Sequence, residues 1–191
     1  MKKAALIIEN RNIKGLDKII EKHMSFLPDF ELIHLRPDYI KSRQSYNSFI
    51  TSSTLWFNLY DVLEFDKVLI FQHDSEIFKP LDNEFLNYSY VGAPWKKGTS
   101  WNTEDRRGGN GGLSIRDVKA HYELTRDKKY CPLKYINEDI YFSHLLDNVA
   151  PYDVCKKFSV ETEFNLGTFG AHAIDKYLTK EQCNELRNFN I

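Results

Sequence analysis

Several groups of residues in this 191-residue chain are of types that do chemistry. Gln72-His73-Asp74 ends the apolar run Lys67-Val68-Leu69-Ile70-Phe71, and a carboxylate beside an imidazole at the end of a buried strand stands where an α/β protein usually keeps a ligand or a metal. Glu138-Asp139 opens a segment with Ile140, Tyr141, His144 and Leu145 on one helical face. Acids in a first helical turn gain about 0.3–1 kcal/mol from the macrodipole, and the same rigid position suits a general base. His172 lies among small residues in Gly167-Thr168-Phe169-Gly170-Ala171-His172-Ala173, where a lone histidine is more often structural than a ligand. Gly108-Gly109-Asn110-Gly111-Gly112 allows either a close backbone approach to a ligand or a tight turn into a strand. It has neither the Gly-x-Gly-x-x-Gly nor the Gly-Lys-Ser/Thr pattern, so neither a dinucleotide fold nor a nucleotide hydrolase is supported.

The elements that must position these groups read as alternating strands and helices. Ala4 to Glu9 and Glu31 to Leu35 are strand-like, the second closed by Arg36-Pro37, since a residue before proline disfavours helix. Gly15 to Phe26 has the apolar spacing of a helix, and Tyr46 to Phe65 reads as one long helix weakened by its Thr-Ser-Ser-Thr interior. Lys67 to Gln72 follows as a strand, Pro80-Leu81-Asp82 opens a short helical turn, and Tyr88 to Trp95 is again strand-like. The expectation is an α/β domain with a mainly parallel sheet flanked by helices, occupying 1–191 as a single unit. The polar stretch from Lys96 to Arg107 reads as a loop, either a lid or plain disorder, with Trp101 as its aromatic residue.

Composition narrows the function classes. Lys and Arg (26) nearly balance Asp and Glu (27), for a net charge of −1, so no overall field points to nucleic acid or an acidic membrane. The N-terminal apolar run stops at Glu9 without a small-residue cleavage site, and no segment approaches the roughly 18 apolar residues of a membrane span. Cys131, Cys155 and Cys183 are odd in number and widely spaced, which suits neither a disulfide framework nor a zinc site. A cytoplasmic chain is expected, with any membrane attachment peripheral.

The order of these groups resembles that of GT-A glycosyltransferases, which carry an Asp-x-Asp region, a glycine loop, an acidic pair and a late histidine. More closely, Phe71-Gln72-His73-Asp74-Ser75, Val91-Gly92-Ala93-Pro94-Trp95, Gly109-Asn110-Gly111-Gly112-Leu113-Ser114-Ile115-Arg116 and Asn137-Glu138-Asp139-Ile140-Tyr141-Phe142 resemble a family of largely uncharacterised glycosyltransferase-like proteins, over about residues 4 to 175. The resemblance implies a GT-A, Rossmann-like domain that transfers a sugar from a nucleoside-diphosphate sugar to a glycan acceptor hydroxyl, in surface glycan or polysaccharide synthesis. It implies that Asp74 and His172 bind Mn2+ or Mg2+ on the donor diphosphate. Asp139 is then the base of an inverting transfer, with Glu138 supporting it or touching the acceptor. Glu9, Arg11, Gln72 and His73 fall to the nucleotide side. Gly111 and Gly112 are expected to run beside the donor sugar. Trp95 either stacks on a sugar or is ordinary core.

One departure stands out: the first acid of Asp-x-Asp is Gln72, a neutral amide that adds hydrogen bonds but no charge. The chain is also short for the class, so a partner domain or second subunit is expected to complete the acceptor side. Two rivals follow from the same residues. One is a non-catalytic sugar-binding module of the same fold, and the other a metal-dependent nucleotide-sugar hydrolase using Asp74, His73, His172 and Glu138.

Overall fold

The computed structural model describes residues 1–127 and 137–189, so Cys131 lies outside the described residues. Strand β1 (Lys3–Ile8), helix α1 (Leu16–Ser25) and strand β2 (Phe30–Leu35) form the opening β-α-β unit, with β1 and β2 parallel and Lys3 opposite Phe30. Strand β3 (Lys67–Phe71) pairs in parallel with the other side of β1, Ala4 against Val68. The alternation of β1 and β3 then sends side chains to opposite faces. Ala5, Ile7, Leu69 and Phe71 pack with α1 and helix α6 (Tyr152–Phe158), while Ala4, Leu6, Val68 and Ile70 pack with helices on the other side. The sheet is thus buried on both faces, as the continuous apolar runs predict.

The expected long helix is broken. Helix α2 (Arg43–Ile50) begins earlier than its apolar residues indicate, because Ser42 and Ser45 form reciprocal capping hydrogen bonds. It stops at Ile50. Ser52 Oγ then accepts from the Thr54 amide and caps a separate helix α3 (Ser53–Phe57), which runs into a π-turn at Asn58–Val62. The serine and threonine that lower helix propensity here act as caps.

The mainly parallel sheet is corrected to a mixed one. Its order is β2-β1-β3-β6-β5, and strands β5 (Tyr90–Ala93) and β6 (Asn110–Asp117) run antiparallel to each other, with β6 antiparallel to β3. Between Phe71 and Asn110 the only helical element is a 3₁₀ turn at Asn83–Asn87, so no helical crossover returns the chain in parallel. Helix α4 (Val118–Arg126) follows β6, and helix α5 (Glu138–Leu145) packs against it.

A second, three-stranded sheet has the order β4-β8-β7, from β4 (Ser75–Ile77), β8 (Gly170–His172) and β7 (Ser159–Val160). It shares a small apolar core of Phe78, Val160, Ala171, Ile174, Cys183 and Leu186 with helices α7 (Ile174–Tyr177) and α8 (Lys180–Phe189). Arg187 of α8 ties this unit together by pairing with both Glu76 and Asp175. Cys155 and Cys183 are buried free thiols. Among the described residues no helix is long and apolar enough to cross a membrane.

Candidate functional site

The C-terminal ends of β1 and β3 open into a cavity of about 670 Å³. Glu9, Arg11, Gln72, His73, Gly112, Glu138, Asp139 and His172 all line it, so one wall gathers residues up to 163 positions apart in the sequence, Glu9 to His172. The assembly follows from backbone pairing. A tight turn, closed by the Ser75 amide on the Gln72 carbonyl at 3.0 Å, carries Gln72, His73 and Asp74 from β3 into β4. Ser75 then lies opposite His172 across the β4–β8 ladder. Val160 pairs with Ala171, which brings the next residue, Glu161, beside His172.

His172 is held on both sides. Its Nδ1 is 3.2 Å from Glu161 Oε1, and its Nε2 is 3.2 Å from Gln72 Oε1 and 3.3 Å from Asp74 Oδ1. Burial disfavours the charged ring, but Asp74 and Glu161 outweigh it and raise its pKa to about 9. Asp74 lies behind the cavity wall, lining a second cavity of about 310 Å³. Lys176 Nζ donates to its Oδ2 at 2.6 Å. Burial works against ionisation there, yet His172 and Lys176 hold the Asp74 carboxyl well below the usual carboxylate range.

Among the described residues no three His, Cys, Asp or Glu side chains are grouped to hold a metal ion. A smaller donor set does fit a divalent cation. Asp74 Oδ1 is buried and takes no well-directed hydrogen bond, and Gln72 Oε1 and His172 Nε2 stand within 3.3 Å of one another or of it. Glu161 on the far ring nitrogen supplies the carboxylate that orients a ligating histidine. This set brings only one carboxylate, and a cation must compete with the proton on His172.

At the other end of the cavity lies the acidic pair. Arg116, fully buried on β6, makes a bidentate pair with Glu138 at 2.7 and 3.0 Å. Asp139 is buried next to it. Its Oδ1 accepts from the Ile140 amide at 2.8 Å, and Asn110 Nδ2 approaches Oδ2 at 3.5 Å. Burial first, and the neighbouring Glu138 charge second, raise the Asp139 pKa to about 7. The two acids therefore divide their work: Glu138 is locked in an ion pair, and Asp139 is left able to exchange a proton near neutrality.

The pairing also rotates α5 away from the face expected from its spacing. Glu138, Tyr141 and Phe142 turn inward with Asp139 and Ser143, while Leu145 is exposed and His144 bonds the Trp101 carbonyl at 3.0 Å. Gly111 and Gly112, expected beside a donor sugar, prove to make room for other side chains. A Cβ on Gly111 would collide with Glu138 and Arg116, and one on Gly112 with the His172 ring. Gly112→Ala is expected to displace that ring or the strand, at a cost of about 1–3 kcal/mol. Urea denaturation of the variant with an unchanged midpoint would show that the ring has room to move.

At the end of β1, Glu9 is buried and chelated by Arg11 at 2.8 and 2.6 Å, with His73 Nδ1 3.2 Å from its Oε2. Arg11 is thereby neutralised and stiffened by its neighbour. Trp95 is buried and is not among the residues that line the cavity; its carbonyl accepts from Arg106, which also pairs with Glu163 and so ties the 96–107 loop to the body. Residues that sequence reasoning passed over complete the cavity: Lys41, Arg43, Tyr46, Asn47, Asn110, Glu161 and Lys176. Of these, Asn47 bridges to Asn137 at 3.3 Å and so docks α2 on the start of α5.

No curated protein matches the chain. Solved structures similar to it include A197 from STIV, with a TM-score of 0.48 and 14% identity over 74% of this chain and 76% of that one, and a glycosyltransferase involved in the glycosylation of the major capsid of PBCV-1, with a TM-score of 0.45 and 12% identity over 70% and 73%. At such values no residue role is taken from either. Residues 29–172, three quarters of the chain and the larger part of the cavity wall, match the family model described as Protein of unknown function (DUF5672), and the chain belongs to that family.

Proposed function

We propose that this protein transfers a sugar from a nucleoside-diphosphate sugar to an acceptor hydroxyl, with Asp139 as the general base. The observation that carries the reading is Asp139 itself, a buried carboxyl in the cavity wall whose pKa is raised to about 7. A base is most effective when its proton affinity lies near the working pH. Asp139 takes the acceptor hydroxyl proton as the oxygen bonds to the anomeric carbon. The bond from that carbon to the diphosphate oxygen breaks with its electron pair leaving on the diphosphate, which gives inversion. Asn110 and the Ile140 amide fix the carboxyl's direction, and Glu138 acts as a positioning residue through Arg116.

Asp74, His172 and Gln72 would hold a divalent cation, Mn2+ or Mg2+. Such an ion supplies Lewis-acid stabilisation of the charge on a departing diphosphate. Lys176, on Asp74, keeps that carboxylate ionised and oriented. His73 and Arg11 brace Glu9 at the end of β1, where a nucleotide's ribose and base would lie.

The test is a thermal-shift screen of nucleoside-diphosphate sugars with and without Mn2+. A donor at 100 times its dissociation constant should stabilise the fold by about 2.7 kcal/mol. If no donor shifts the transition, the reading fails. If a donor binds but is consumed at the same rate with and without acceptor, the protein is a hydrolase.

A further inference from the structure

Among the described residues every acid around the cavity except Asp139 is paired with a cation. Glu9 is paired with Arg11, Glu138 with Arg116, Asp74 with Lys176, and Glu161 with His172. Two cations in the lining have no such partner: among the described residues, the Lys41 and Arg43 side chains make neither an ion pair nor a hydrogen bond. Neither is loosely placed by the backbone. Asn10 Nδ2 donates to the Pro37 and Ile40 carbonyls at 2.8 and 2.9 Å, which holds the segment before Lys41 against the end of β1. The Ser42–Ser45 capping box then fixes Arg43 as the first residue of α2. Next on the same helical face is Tyr46, whose buried hydroxyl finds no well-formed hydrogen bond although Gln72 lies close enough to interact with it. Two unpaired cations and an unsatisfied donor on one wall are what a multiply charged oxyanion requires.

We propose that Lys41 and Arg43, with the Tyr46 hydroxyl, form an anion clamp for the diphosphate of the donor. This deepens the reading above and rests on it. The clamp answers the loss of charge at Gln72: where the metal set carries a single carboxylate, side-chain cations elsewhere in the cavity lining carry part of the diphosphate's charge. It also sets a substrate class. The diphosphate of a nucleoside-diphosphate sugar carries two negative charges, one for each cation, whereas the diester of a monophosphate-linked sugar carries one, so the site selects diphosphate-activated over monophosphate-activated sugars.

The probes are five nucleoside diphosphates and the methyl esters of the corresponding monophosphates, which carry a single charge, titrated by calorimetry into the intact protein in EDTA so that no divalent ion contributes. At least one diphosphate is expected to bind about tenfold or more tightly than its monophosphate. Lys41→Gln with Arg43→Gln should lower that diphosphate's affinity about tenfold or more while changing the monophosphate's by less than about threefold. Both residues lie at the cavity rim outside the apolar core, and an unchanged melting temperature confirms that the double variant is folded. Tyr46→Phe should weaken the diphosphate in the same direction. The clamp is overturned if the double variant binds diphosphates as the parent does, or if diphosphates bind only once Mn2+ is added. If no nucleotide binds under either condition, the donor reading itself falls and takes the clamp with it.

Discussion

Asp139→Asn is expected to reduce transfer by about 10²- to 10⁴-fold while leaving donor binding intact. Asparagine preserves the volume and can still accept the Ile140 amide hydrogen bond, but it cannot take a proton. The same residue fixes the pH dependence. With its pKa raised from 3.8 to about 7, Asp139 is ionised, and able to act, only as pH rises through about 7. The rate should climb across that range and level off above it.

Stability should move in the opposite direction. Between about pH 4 and 7 the folded protein keeps a proton that the unfolded chain has released, so this contribution is full below about 4 and is lost as pH rises through about 7. At about 1.4 kcal/mol per tenfold change in proton affinity, the ionised buried carboxylate costs the fold on the order of 2–4 kcal/mol by pH 8.5. Asp139→Asn removes that cost and should therefore be more stable than the parent at pH 8.5, with the gap narrowing at pH 5. Urea titrations at the two pH values together with the pH–rate profile decide the matter. A variant that retains full turnover, or one that gains no stability at high pH, sinks the assignment of Asp139.

The second large effect belongs to Arg116. It is fully buried and meets Glu138 through two hydrogen bonds, with Ser114 Oγ accepting from its Nε at 3.0 Å. Arg116→Met leaves Glu138 as a buried charge without its partner, and breaking such a pair costs about 3–5 kcal/mol. Removing both charges with Arg116→Met and Glu138→Leu should recover most of that loss, because two apolar side chains pack where two ions had to be desolvated. Chemical denaturation of the single and double variants measures the difference. A single variant within about 1 kcal/mol of the parent would mean that the pair is not buried in solution.

The pair also has a functional readout that a purely structural role would not move. The Glu138 charge is the second cause that raises Asp139. Glu138→Gln therefore lowers the midpoint of the pH–rate profile, and the positive Arg116 left behind strengthens the change.

Much of this site was legible in the sequence because its chemistry sits at element ends. The run from Lys67 to Phe71 announces a buried strand and therefore places Gln72 to Asp74 at that strand's C-terminal end. Glu138-Asp139 announces a helix start. What the sequence does not carry is pairing between distant segments. Nothing in the spacing of Ser75 and His172 reveals that they face each other, and nothing marks Glu161 or Lys176 as their neighbours until β7 and β8 are placed. The antiparallel half of the sheet was missed for the same reason, since strand direction depends on the connection and not on the strand's own residues. Gly111 and Gly112 were read for what the backbone offers a ligand, and the structure adds a second reason for glycine at each, the bulk of a side chain from another element. Arg43 was hidden by the assumption that α2 begins at its first apolar residue, when the serine at 42 already signalled the start.

The small three-stranded sheet gives the site a divided ancestry in mechanical terms. His172 and Lys176, which contact Asp74, are borne by β8 and α7, and Glu161, which holds His172, follows directly on β7; all three rest on the core closed by α8. Asp139, Asn110 and Arg43 are borne by elements of the large sheet's layers. A change in the packing of α8 would therefore shift Glu161, His172 and Lys176 together while leaving Asp139, Asn110 and Arg43 where they are.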